Sequence, residues 1–228
     1  MADRRIILPA EPGPIEVDPT RVALLLIDMQ RDFLEQGGFG ESLGNDVSRL
    51  RGAIEPSLRM LKSARASSMF VVHTREGHRP DLSDAPPSKL ARGTPGSHIG
   101  ERGPMGRILV RGEPGHGIID ELTPLDHEPV VDKPGKGAFY ETQLDLLLRN
   151  RGIDTLLVCG VTTEVCVQSS VREANDRGFI CIVLSDCCAS YSPEFHDVSL
   201  RMITAQGGIF GWVSTSNDWL SAASQTRE

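Results

Sequence analysis

The run Arg21-Val-Ala-Leu-Leu-Leu-Ile27 constrains this chain more than any other stretch. A strand with one wet face alternates apolar and polar residues, and this run does not alternate. Both of its faces must be covered, as in a central strand of a parallel sheet with helices on either side. Buried-strand character returns at Ser68-Met-Phe-Val-Val-His73, Pro129-Val-Val-Asp132, Leu156-Leu-Val-Cys159 and residues 180–184 and 208–214. Helix-spaced segments lie between: residues 54–67 with Ile54, Leu58, Leu61 and Ala64 on one face, 142–149 with Thr142 or a near neighbour as cap, the stretch following Cys166, and 193–205. Strands alternating with helices predict an α/β chain, a three-layer α/β/α Rossmann-like fold on a six-stranded, mostly parallel sheet.

All 228 residues fit one domain, long enough to bury a core without disulfides. Residues 1–20 hold four prolines and read as an extended arm with no core of its own. From 75 to 117 the pattern dissolves into Pro, Gly, His and Arg, with only Arg107-Ile-Leu-Val-Arg111 suggesting a short strand. Loops of such length inside a compact domain are usually functional. Residues 118–122 suggest one helical turn, and the tail from Thr215 is short and polar at its end.

A net charge of −7 and a pI near 5.4 argue against nucleic acid and anionic membrane as partners. The odd set of cysteines, 159, 166, 181, 187 and 188, is not a disulfide framework, and without a CxxC pair it offers no structural zinc site. With no signal peptide and no apolar run near ~18 residues, the expectation is a soluble, cytoplasmic, reduced protein.

The chemistry concentrates where strands end. After Leu156-Leu-Val-Cys159 the run is broken by Gly160, and Val165, Val171 and Ala174 then follow at helical spacings. A strand turning sharply into a helix leaves N–H groups of the first turn unpaired, and a thiol there has its thiolate favoured by the helix dipole. Cys166 is therefore the candidate nucleophile; its alternative is a small buried apolar residue. Asp28 and Lys133 also follow buried strands, and in a parallel sheet such ends share one edge. Asp28 can take the thiol proton, and Lys133 can pair with Asp28 and steady the charge that develops on attack. Backbone N–H groups from Thr162 to Cys166 can bind the oxygen of a tetrahedral intermediate, worth roughly 3–4 kcal/mol per donor in other enzymes.

Leu-Leu-Leu-Ile-Asp28-Met-Gln-Arg-Asp-Phe33, Asp-Lys133-Pro-Gly-Lys-Gly-Ala-Phe139 and Cys-Gly-Val-Thr-Thr-Glu-Val-Cys166 resemble the isochorismatase-like cysteine hydrolase family, in family order. The resemblance implies an Asp–Lys–Cys triad at Asp28, Lys133 and Cys166, with Thr162 and Cys166 supplying the oxyanion N–H groups. It also implies a non-proline cis peptide at Val161–Thr162. A homo-oligomer, commonly a tetramer, is implied as well, with residues 75–117 able to help close a neighbouring site. Isochorismatases proper lack the cysteine, so Cys166 argues against that activity. Nicotinamidases carry a metal-binding Asp-x-His, whereas Thr74-Arg-Glu76-Gly-His78 has Glu in its place, so neither metal nor other cofactor is expected.

Within the family, His73-Thr-Arg-Glu-Gly-His-Arg-Pro-Asp-Leu82, Gly106-Arg-Ile-Leu-Val-Arg-Gly-Glu-Pro-Gly115, Arg172-Glu-Ala-Asn-Asp-Arg-Gly178 and Gln206-Gly-Gly-Ile-Phe-Gly211 resemble the biuret hydrolases. Tyr140-Glu141 and Phe39-Gly-Glu-Ser depart from them. The implied substrate is a small linear ureide, biuret or triuret, cleaved at a terminal carbamoyl C–N bond to ammonia and a carboxylated product such as allophanate. Gln206 would bind its row of amides through both donor and acceptor. Lys136 is a second candidate at the pocket, or else a solvated loop lysine, and Phe33 and Phe39 are candidate walls, or else core. The alternatives are ureidoacrylate, N-carbamoylsarcosine or a nicotinamide-like amide as substrate. A small-molecule sensor with no turnover is the reading from another class.

Overall fold

The computed structural model describes residues 5–225. In chain order it contains β1 (Ile6–Leu8), β2 (Ile15–Val17), β3 (Val22–Ile27), α1 (Arg31–Leu34), α2 (Phe39–Ser42), α3 (Ile54–Ala66), β4 (Phe70–Glu76) and α4 (Pro87–Leu90). There follow β5 (Arg102–Gly103), β6 (Gly106–Arg107), β7 (Val130–Lys133), α5 (Leu144–Arg149), β8 (Thr155–Val161) and α6 (Gln168–Asp176). The chain closes with β9 (Ile180–Ala189), α7 (Pro193–Gly208), β10 (Trp212–Ser214) and α8 (Ser216–Gln225).

Six strands form one parallel sheet in the order β10-β9-β8-β3-β4-β7. Every residue of β3 is buried, as its unbroken apolar run requires. Its side chains divide by the two-residue period of a strand. Val22, Leu24 and Leu26 join Leu157, Cys159 and Ile182 under α3 and α8, in a core holding Met60, Leu61 and Trp219. Ala23, Leu25 and Ile27 join Leu156, Val158 and Val183 on the opposite face, against Leu144, Leu148, Val171 and Ile203 of α5, α6 and α7. The result is the three-layer α/β/α arrangement. Strand order reverses at β3, with β4 on one side and β8 on the other, so a crevice opens beyond the carboxyl ends of β3 and β8, where open α/β sheets take ligands.

Three expectations need correction. The proline-rich arm is not coreless: β1 and β2 pair antiparallel, Ile6 opposite Val17 and Leu8 opposite Ile15, and all four side chains are buried in the α3-side core. The arm also exchanges two backbone hydrogen bonds between Glu11 and Val213, which covers the outer edge of β10. The tail, expected to be short and polar at its end, also forms a helix that buries Trp219, 1 % exposed. The strand expected over 208–214 shortens to Trp212–Ser214, because Gly208 is left-handed at φ 91, Ile209 is helical and Gly211 stands at φ 148.

Gly160 does not break its strand either, since β8 runs through to Val161. The pairing with β9 shifts register between Val158 and Gly160, a bulge that Gly160 accommodates at φ 136. A Cβ there would lie 2.2 Å from the carbonyl oxygen of Ile27. The glycine thus permits the closest approach of β8 to β3 immediately before Asp28. Among the described residues no helix is long and apolar enough to cross a membrane.

Candidate active site

Four consecutive sheet positions bring chemistry to the crevice: β8, β3, β4 and β7. At the end of β3 the chain turns through Asp28, a left-handed residue at φ 52, a conformation Asp tolerates better than most side chains. Thr74 of β4 donates its hydroxyl to Asp28 Oδ1 at 2.7 Å and its carbonyl accepts from Asp28 N at 3.2 Å. Gln30 clamps the same two strand ends, accepting from Glu76 N at 2.7 Å and donating to the Glu76 carbonyl at 3.0 Å. The end of β7 supplies Lys133, fully buried, whose Nζ lies 2.8 Å from Asp28 Oδ2 and donates to the carbonyls of Gly135 and Lys136 at 2.9 Å each.

Beyond β8, the expected non-proline cis peptide is present at Val161–Thr162. Thr162 is extended, and the chain then winds one wide π-helical turn, Thr163–Val167, which carries Cys166 and continues as α6. Such turns within helices are concentrated at functional sites. Ser170 fastens this turn to the segment after β7, donating to the Cys166 carbonyl at 2.6 Å and accepting from Ala138 N at 3.0 Å. Glu173 accepts from Phe139 N at 2.9 Å. Sequence-distant Lys133 and Cys166 are therefore held together by hydrogen bonds as well as by the sheet.

The residue that sequence reasoning undervalued is Glu76, at the end of β4. It is completely buried, and Cys166 Sγ donates to its Oε2 at 3.5 Å. Its Oε1 accepts from Lys136 at 2.7 Å and from Lys89 at 2.9 Å, while Lys133 stands 4.0 Å from Oε2. Burial works against the Glu76 charge, but Lys133, Lys136 and Lys89 together hold its carboxyl at about 2. Burial likewise opposes the charge of Lys133, and Asp28, Cys166 and Glu76 outweigh it, so the ammonium is held above its ordinary range. The Cys166 thiol is pushed up by burial, with Lys133 pulling the other way and Asp28 and Glu76 adding to the rise. A thiol pushed up in this way needs a proton acceptor within reach for attack.

The carboxyl oxygens of Asp28 and Glu76 and the sulfur of Cys166 all lie within 4.8 Å of one another. That spacing alone would suit a metal, but its charges are already matched: Asp28 by Lys133, and Glu76 by Lys89 and Lys136. His78, two residues along, pairs with Asp84 at 3.2 Å. The residues present do not fit a divalent cation at Glu76, because three ammonium groups already surround it.

Of these groups Glu76, Lys136 and Cys166 face a cavity of about 450 Å³, lined also by Phe33, Phe39, Thr162, Glu164, Tyr191 and Phe195, among others. Phe33 and Phe39 stand edge to face with ring centres 6.2 Å apart. Asp32 holds that wall, accepting from Phe39 N at 3.2 Å and Leu109 N at 3.3 Å, and burial pushes its carboxyl up. Of the sequence candidates, Asp28, Lys133 and Cys166 meet, and Thr162, Phe33, Phe39 and Lys136 join Cys166 on the cavity wall. Gln206 does not. It sits exposed in the α7 kink at φ 54 and forms no part of this wall. Residues 75–117 are also less loose than expected: Ile108, Leu109 and Val110 are buried, and α4 delivers Lys89 to the site. Lys89 was missed because nothing periodic surrounds it, whereas Glu76 was visible, though only as a substituted metal ligand.

The family model described as Isochorismatase domain matches residues 22–218. The ureidoacrylate amidohydrolase RutB of Methylorubrum extorquens (strain DSM 6343 / CIP 106787 / DM4) is 35 % identical over 92 % of this chain and 85 % of its own length. That of Rhizobium rhizogenes is 31 % identical over 96 % of this chain and 90 % of its own. Among solved structures, a cysteine hydrolase from Pseudomonas syringae pv. phaseolicola 1448A superimposes with a TM-score of 0.77 at 26 % identity, covering 99 % of this chain and 100 % of that one.

Proposed function

Because this chain belongs to the isochorismatase family and its relatives are amidohydrolases acting on non-peptide C–N bonds, we propose that it hydrolyses the carbamoyl group of a small ureido compound, with a ureido acid of the ureidoacrylate kind as the first substrate to test. The observation that carries the chemistry is the convergence of Cys166, Asp28 and Glu76 within 4.8 Å, with Cys166 and Glu76 on the wall of one cavity and Asp28 buried behind them. The names of the relatives, and not the geometry, put ureido acids ahead of biuret and triuret.

In this reading Asp28 takes the Cys166 proton as sulfur attacks the carbamoyl carbon. The N–H groups of Thr162 and Cys166 receive the oxygen as it gains charge, and preorganised donors of this kind are worth most where water is excluded. Collapse expels ammonia, the departing nitrogen taking the proton from Asp28 and leaving a thiocarbamate ester on Cys166. Water then adds to that carbon, again losing a proton to Asp28. The C–S bond breaks, the thiol is restored and the carboxylated product departs. Lys133 keeps Asp28 correctly oriented, which its ion pair and two carbonyl contacts support.

Biuret or triuret is the second reading. One observation favours it: Lys136, the one cation on the cavity wall among the described residues, is already paired with Glu76, so a neutral ureide fits without a further counter-charge. Ammonia release measured across ureidoacrylate-type acids, N-carbamoyl amino acids, biuret, triuret and nicotinamide ranks the readings. Turnover of ureides at a rate unaffected by Cys166→Ser would sink the mechanism, and turnover of nicotinamide alone would sink the substrate class.

A further inference from the structure

Glu164 stands two residues before Cys166 on the same π-helical turn and lines the same cavity. Its Oε2 is shut off from water and has no hydrogen-bond partner among the described residues. Several of its polar neighbours on the wall are engaged. Tyr191 donates its hydroxyl to the Phe33 carbonyl at 2.8 Å, and Asn45 donates to the Gly40 carbonyl at 3.1 Å. Glu76 is held by lysines, and Ser192 accepts from Phe195 N at 3.4 Å. His196, which approaches from α7, shares a 2.8 Å hydrogen bond with the Thr163 hydroxyl through Nδ1. A buried acceptor left without a donor is costly, and native proteins rarely keep one without a use.

The chemistry of a ureide supplies what this acceptor lacks. In a unit H₂N–CO–NH–R one N–H on each nitrogen points away from the carbonyl oxygen, and the two run parallel. A carboxylate presents two oxygens at matching spacing, the same fork that suits it to guanidinium, and a side-chain rotation that turns the covered Oε2 toward the cavity completes that fork. The carbonyl oxygen then points the opposite way, as it must to reach oxyanion donors. Sequence reasoning gave the task of holding an amide row to Gln206, which lies outside the cavity; Glu164 is inside it.

We propose that Glu164 is the residue that makes this site select ureides over simple amides, by accepting the paired N–H groups of the substrate while its carbamoyl carbon faces Cys166. A primary amide such as nicotinamide offers only one nitrogen, so it gains less from Glu164 than a ureide does. The proposal rests on the reading of the protein as a ureide amidohydrolase.

The test compares the wild type with Glu164→Gln and Glu164→Leu on biuret, N-carbamoylglycine and nicotinamide, following ammonia and separating kcat from KM. Circular dichroism and Tm check that each variant folds. For whichever ureide the wild type accepts, Glu164→Gln should raise KM about 10- to 100-fold, the range for losing a hydrogen bond to a charged group, with kcat changed far less. Glu164→Leu should raise it further, and nicotinamide turnover, where measurable, should change less than about threefold. Unchanged ureide KM in a folded Glu164→Gln enzyme overturns the proposal, as does an equal loss on all three compounds, which marks a structural role. These results leave the ureide reading standing. A wild type that turns over nicotinamide and no ureide removes that reading and the proposal together.

Discussion

Cys166 and Cys188 are matched in burial, 4 % and 5 % exposed, and burial pushes both thiols well above their ordinary range. Their surroundings separate them. Cys188 lies within β9, its sulfur donating to the Val158 carbonyl at 3.7 Å, and the acidic groups nearest it, Cys187 and Asp186, only make ionisation harder. Cys166 lies beyond the end of its strand, with Lys133 and Lys136 offsetting the burial and two carboxyl groups within 4.8 Å of its sulfur. Burial alone makes a cysteine inert. Burial beside a fixed ammonium and a carboxylate gives the thiol a cation that offsets the burial and an acceptor for its proton.

The sharpest way to break this contrast is to remove each sulfur. Cys166→Ala is expected to lower kcat by about 10⁴-fold or more, the scale for deleting a nucleophile. Asp28→Asn should cost about 10²- to 10⁴-fold, the range for a general base. Both are read by ammonia release. Glu76→Gln tests the charge balance: it leaves Lys89 and Lys136 with no anion between them, and because Lys136 is half-exposed and Lys89 keeps the Pro134 carbonyl, the loss in a denaturant titration should fall below the roughly 3–5 kcal/mol of a fully buried broken pair. Cys188→Ala, by contrast, should cost only about 1–2 kcal/mol of stability through a small cavity and leave kcat within about threefold. Equal kinetic losses at positions 166 and 188 would dissolve the comparison.

Acid should find the same charges. Glu76 is held at about 2, below the 4.5 of a free carboxyl, so its contribution is complete above 4.5 and is lost as pH falls from there toward 2. Burial, with help from the charge of Arg75, lowers His116 from 6.5 to about 4, so its neutral form contributes above 6.5 and that contribution fades between 6.5 and 4. Tm should therefore begin to fall below pH 6.5 and fall more steeply below 4.5. Glu76→Gln should flatten the lower limb and leave the upper one in place.

What was legible in the sequence follows from this geometry. Asp28 and Lys133 close apolar runs and Cys166 follows one on the turn beyond it, and a parallel sheet places such ends on one edge, so the pattern could suggest their meeting and the family resemblance named them. Glu76 also ends a strand, yet its role depends on Lys89, which arrives from a stretch held by loop contacts without any period. The β1–β2 hairpin was hidden because each strand has only three residues, Ile6-Ile-Leu8 and Ile15-Glu-Val17, and only the second alternates in sequence, with prolines between and beyond them. The tail helix was hidden by its polar surface, since its contribution to the core rests on Trp219 and few neighbours. Gly160 was misread for a different reason. A glycine in a strand signals either an end or a close approach, and only the 2.2 Å that a Cβ would leave to the Ile27 carbonyl oxygen decides between them.

The measurement that bears most directly on Cys166 is an acid quench during turnover of a ureide that the wild type accepts, followed by intact-protein mass and peptide mapping. The account predicts a single carbamoyl-type adduct on the peptide containing Cys166, absent from Cys166→Ala and retained in Cys188→Ala. An adduct mapped to any other cysteine, or undiminished turnover by Cys166→Ala, would contradict it.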